Sequence, residues 1–175
     1  MASIATELAQ RFQSTRTTGA RTLSGALMRV GMISPYSLSV PGGVQNQILA
    51  LGRALRRRGV SVRVLGPCDG PPPEPFVTPL GNSVPTGANG SVAPLAPDPA
   101  AQLRTIRALR DEEFDLLHLH EPMAPGPTMT AMLVKSTPIV ATFHAAGRSR
   151  AYEIFKPWTT RGCLLYTSPS PRDRG

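Results

Sequence analysis

The chain has 175 residues, 41% of them apolar, which is enough for one ordinary domain with its own core and too little for two. Net charge is +8, with +2 carried by residues 1–27 and +2 by residues 161–175. With aromatics at 5% and no long basic run, a nucleic-acid partner is disfavoured, while an acidic substrate or an anionic membrane surface stays open. Two cysteines, Cys68 and Cys163, make no disulfide framework and fit a reducing cytoplasm, and no stretch reaches the roughly 18 apolar residues of a membrane span.

Residues 1–27 are rich in Ser, Thr and Arg, with Glu7 as the single acid. They read as a disordered or mis-started leader, since Met28 stands directly before the first strand. Val30–Ile33 is a short apolar strand that ends in Ser-Pro and passes through Pro41-Gly42-Gly43 into the helical spacing of 45–58. A strand, a glycine loop and a helix start let backbone approach a ligand closely and offer unpaired N–H groups to an anion. The six-position dinucleotide fingerprint is absent, so the loop alone is also compatible with a plain tight turn. Basic residues in the last turn and Gly59 beyond it mark the helix end. Val60–Leu65 is the next strand, and strand–helix–strand within about 40 residues is a βαβ unit with parallel pairing.

Residues 66–99 are rich in Pro and Gly, with short strands expected at 76–78 and 83–85 and a turn at Asn89-Gly90. Asp98 caps a helix running to Asp111, with Leu103, Ile106 and Leu109 on one side and Arg104, Arg107 and Arg110 beside them. A strand at 114–119, a short helix at 125–134 and a buried strand at 139–143 follow. This alternation predicts an α/β fold, a Rossmann-like doubly wound parallel sheet. Ligands of such folds sit outside the carboxyl ends of the strands, where the Gly42-Gly43 loop, His118, His120, Glu121 and His144 all fall. No strand or helix is expected in 161–175, which reads as a non-native or disordered tail.

His118, His120 and Glu121 invite a metal reading, but no cysteine or further histidine is spaced to complete a site, so no metal is expected. His144 emerges from the strand IVATF as a pocket residue able to donate to a phosphate or a sugar hydroxyl.

Together the segments RVGMISPYSLSVPGGVQNQILALGRALRRRGVSVRVLGP, NGSVAPL, FDLLHLHEPMAPGP and PIVATFHAAG resemble, over residues 28–160, the N-terminal half of a glycosyltransferase family 4 enzyme. The resemblance implies two Rossmann-like domains facing across a cleft, the GT-B arrangement, and sugar transfer with retained configuration and without a metal or other cofactor. The implied substrates are a nucleotide sugar, GDP-mannose, and a phosphatidylinositol-type acceptor lipid; another lipid, a polyol or a polysaccharide is the alternative acceptor. Gly42 and Gly43 would approach the donor phosphates and sugar, Tyr36 and Gln45 would line the acceptor pocket, and His144 would stand beside the reacting centre. Arg104, Arg107 and Arg110 would face an anionic membrane, placing the protein in the cytoplasm with peripheral contact at the inner face of the cell membrane. The resemblance also implies that the chain is truncated at its C-terminal side and inactive alone, a binding fragment at most.

Overall fold

The computed structural model describes residues 27–88, 91–134, 137–144 and 163–167. Six strands form one sheet in the order β3-β2-β1-β6-β7-β8, and every neighbouring pair is parallel. The strands are β1 (Arg29–Ile33), β2 (Ser61–Gly66), β3 (Val77–Pro79), β6 (Leu116–His120), β7 (Ile139–Phe143) and β8 (Cys163–Thr167). A separate antiparallel hairpin, β4 (Val84–Ala88) and β5 (Ser91–Leu95), lies between β3 and β6 in sequence. The helices are α1 (Gly43–Arg57), α2 (Pro99–Asp111) and α3 (Pro127–Val134).

Side-chain alternation along the strands builds two apolar layers, one on each face of the sheet. Val30, Met32, Val62, Val64, Leu116 and Val140 point one way and pack with Ile48 and Leu49 of α1. Ile33, Leu65, Leu117, Leu119 and Ile139 point the other way, towards Leu109 of α2 and Ala131 and Met132 of α3. Sequestering each of these large side chains from water contributes about 2 kcal/mol, which is what holds the helices to the strands. With helices on both faces and chain order reversing between β1 and β6, the sheet is doubly wound, and its switch point lies at the β1–β6 boundary.

Local signals set the helix ends. Asp98 Oδ1 accepts the Ala101 N–H at 2.9 Å and Pro99 takes the first helical position of α2. At the end of α1, Gly59 adopts φ +79°, its N–H reaches the Arg56 carbonyl, and the Val60 N–H reaches the Leu55 carbonyl. That paired closure is the Schellman arrangement, and only glycine enters it without steric cost.

Three expectations change. The proline-rich stretch is more ordered than its composition suggests: the hairpin, outside the main sheet, pairs Pro85 opposite Pro94 on strands that are both edges, and the Pro94 carbonyl bonds outward to the Ser37 N–H. Its turn residues Asn89 and Gly90 lie outside the described residues. On α2 the buried side is Ala101, Thr105 and Leu109, so of the expected apolar side Leu109 is buried while Leu103 is 67% exposed. Finally β8 pairs with β7 where no strand was expected, because the short run CLLYT is masked by turn-forming neighbours on both sides. The expected leader falls, but for Leu27, outside the described residues.

Candidate functional site at the carboxyl edge of the sheet

One parity rule gathers the site. His118 and His120 on β6 share the face of Leu116, and Thr142 and His144 continue the face of Val140, so all four project on the α1 side of the sheet. His118 Nε2 lies 2.8 Å from Thr142 Oγ1, and His120 Nδ1 lies 2.9 Å from His144 Nε2. The rings of His120 and His144 are nearly parallel, with centroids 5.1 Å apart. Just beyond β6, Glu121 adopts φ +49°, donates its N–H to the Thr142 carbonyl and accepts the His144 backbone N–H with its carboxylate. Thr128 Oγ1 also donates to the Glu121 carbonyl, so the turn is pinned from α3 as well.

Burial and mutual repulsion keep these imidazoles neutral. Burial, helped by the nearby His144, pushes His118 down to about 4. His120, buried and flanked by His118 and His144, lies well below the usual histidine range. His144 is also lowered by burial, partly offset by the attraction of Glu121. At neutral pH the cluster is therefore a set of uncharged donors and acceptors, not a cationic patch. Among the described residues no group of three or more His, Cys, Asp or Glu side chains is arranged to hold a metal ion.

The loop after β1 forms the second side. Ser34 Oγ donates to the Tyr36 carbonyl, the Ser37 N–H reaches the Pro94 carbonyl of the hairpin, and the Leu38 N–H reaches the Pro67 carbonyl. These bonds fix a loop that would otherwise be free to move. Burial and the Glu121 carboxylate raise the Tyr36 phenol, which therefore stays protonated as a donor. The Glu121 carboxylate thus acts on both Tyr36 and His144.

Gln45 is almost fully buried, and its Nε2 donates to the Ser37 carbonyl at 3.4 Å, so it braces the loop. The glycine pair works through missing side chains rather than positive φ. Gly42 is extended (φ −172°), and a Cβ there would overlap the Gln45 amide; a Cβ at Gly43 would meet nothing within 4 Å. No side chain caps α1 and no acid lies in its first turn, leaving its N-terminal dipole available to an anion. An open groove of about 590 Å³ runs between the start of α1, residues 38–41 and the segment near Asp69, with Gln45 and Asn46 on its wall.

The three arginines stand apart from this site, on α2 over the opposite face. Arg104 Nη1 donates to the Leu80 carbonyl, Arg107 pairs with Asp111, and Leu103 is exposed beside them. Thr142 is the site residue that the sequence reading passed over. Its signal was available as the residue two before His144 on the same strand face.

A doubly wound parallel sheet with its polar groups at the switch point is an α/β domain whose polar edge lies where such folds place their ligands. The chain belongs to glycosyltransferase family 4: the family described as Glycosyltransferase Family 4 (Glyco_transf_4) matches residues 41–174. It is 48% identical over 138 residues to a phosphatidyl-myo-inositol mannosyltransferase of Mycobacterium leprae, covering 75% of this chain and 37% of that protein. The protein of the same name in Mycobacterium tuberculosis is 47% identical over 121 residues, covering 68% and 32%. The chain thus spans about a third of the length of these relatives. The fold is similar to that of Acinetobacter baumannii MurG, with TM-score 0.50 and 17% identity, over 82% of this chain and 44% of that one.

Proposed function

We propose that this chain is the acceptor-side domain of a retaining glycosyltransferase that moves mannose from GDP-mannose to a phosphatidylinositol-type lipid. The observation that carries the reading is the grip of Glu121 on His144 at the carboxyl edge of the sheet, with Glu121 also acting on the Tyr36 phenol, in a domain whose α1 starts uncapped. Neutral donors suit hydroxyl and phosphate oxygens, and the helix dipole suits the charge that grows on a departing diphosphate. Gly43, with open space at its Cβ position, leaves room for the donor sugar or phosphate to approach. On this reading the rest of the relatives' length supplies the nucleotide site and the second wall of the cleft, and no metal or other cofactor is called on. The 48% identity to a protein named for this activity supports mannose and phosphatidylinositol over other pairs.

The reading also places the domain against the inner face of the cell membrane. No helix among the described residues is long and apolar enough to cross a membrane. Exposed Leu103 with Arg107 and Arg110 on α2 is the kind of surface that rests on anionic lipid. Arg104 contributes less, since its guanidinium is tied to Leu80.

The test is a substrate panel run on a protein of the relatives' length that carries this chain. Labelled sugar should enter phosphatidylinositol from GDP-mannose and not from UDP-glucose or GDP-glucose. Equal transfer to a polyol or a polyprenyl phosphate would replace the acceptor; a preference for a uridine nucleotide would replace the donor.

A further inference from the structure

We propose that His120 is a positioning residue that sets the tautomer of His144, so that His144 presents Nδ1–H as a hydrogen-bond donor to a substrate oxygen. His120 Nδ1 and His144 Nε2 lie 2.9 Å apart, close enough to share one proton. His120 is 1% exposed, and its other nitrogen, Nε2, has no partner among the described residues. If His144 were the donor, His120 would carry its own proton on Nε2, as a buried N–H with nothing to receive it. Buried N–H groups without an acceptor are much rarer than acceptors left short of a donor. The better arrangement has His120 donate from Nδ1 and keep a bare lone pair at Nε2.

His144 then accepts at Nε2 and holds its proton at Nδ1. His118, the other ring against His120, is occupied with Thr142 and leaves the shared proton to the His120–His144 pair. A side chain so arranged addresses an oxygen that accepts, on a phosphate or a sugar, and does not take a proton from a hydroxyl. The inference rests on the proposed function only for the identity of that oxygen.

The chain contains three histidines, and all three belong to this cluster. Ring-¹⁵N-labelled protein therefore reports on nothing else, and His144→Gln identifies the His144 signals. In the wild-type chain at neutral pH, His144 Nδ1 should give a protonated, pyrrole-type signal and Nε2 a pyridine-type one. In His120→Phe the His144 proton should move to Nε2, the form free imidazole side chains prefer. His120→Asn, whose amide N–H can replace Nδ1–H, should restore the wild-type pattern. A wild-type proton on Nε2, or an unchanged tautomer in folded His120→Phe, would overturn the proposal. Should neither variant fold, the wild-type assignment alone decides. No substrate is needed, so failure here is separate from failure of the mannosyl-transfer reading.

Discussion

A buried neutral histidine trades pH tolerance for a fixed hydrogen-bonding role, and His118 makes that trade measurable. Its pKa is about 4 in the folded chain and about 6.5 unfolded, so between these values the unfolded state binds more protons and stability falls as pH falls. The loss amounts to about 3 kcal/mol from this residue, complete near pH 4 and absent above pH 7. Urea midpoints measured from pH 7.5 to 4 should show it, and His118→Asn should flatten the slope; a slope unchanged by the substitution would remove the histidine from the explanation. Gly43 makes the opposite kind of prediction. A side chain there enters open space, so Gly43→Trp should leave the melting temperature within about 2 °C of wild type. In the proposed enzyme the indole should nevertheless block donor approach. A large loss of stability would show that the glycine is structural.

Elements were legible in the sequence where one physical signal dominated. The β1–α1–β2 unit follows from apolar runs, basic last-turn residues and Gly59, and it stands within two residues of its expected bounds. Asp98 announced α2 in the same way. What was not legible depends on contacts distant in sequence. The exposure of Leu103 follows from how closely α2 approaches the sheet and α3, which no helical periodicity contains. The histidine pairs likewise depend on β6 lying beside β7, and no spacing within either strand reports that neighbour. At the site, Glu121 and His144 could be picked out from their places at the strand ends and Tyr36 and Gln45 from the family resemblance, but the bracing role of Gln45 and the part of Thr142 could not. The corrected α2 surface sharpens the membrane expectation. Substituting Arg107 and Arg110 by Gln should reduce co-sedimentation with vesicles containing anionic phosphatidylinositol, and adding Leu103→Ser should reduce it further. Arg104→Gln should act mainly on stability, through Leu80. Equal vesicle binding by all these variants would dismiss α2 as the contact.

Across the whole molecule the strand order is what makes a site. Because β1 and β6 are neighbours whose following segments diverge, the edge between them stays open; Tyr36 follows β1 there, and Glu121 and His144, bonded to each other, follow β6 and β7. β8 extends the sheet past β7, and removing it would leave five residues of β7 without their outer partner. A chain ending at residue 160 should therefore melt lower and self-associate more than the 175-residue chain, as exposed edge strands do; equal melting and a monodisperse profile would make β8 dispensable. The central claim is that this edge is where a sugar changes hands. It is tested most directly by the initial rate of mannosyl transfer from GDP-mannose to phosphatidylinositol, in the relatives'-length protein, for wild type and His144→Ala. The account predicts transfer by the wild type and a loss of about 100-fold in the variant, with the fold intact by near-UV circular dichroism. Transfer at an undiminished rate in the folded variant would contradict it.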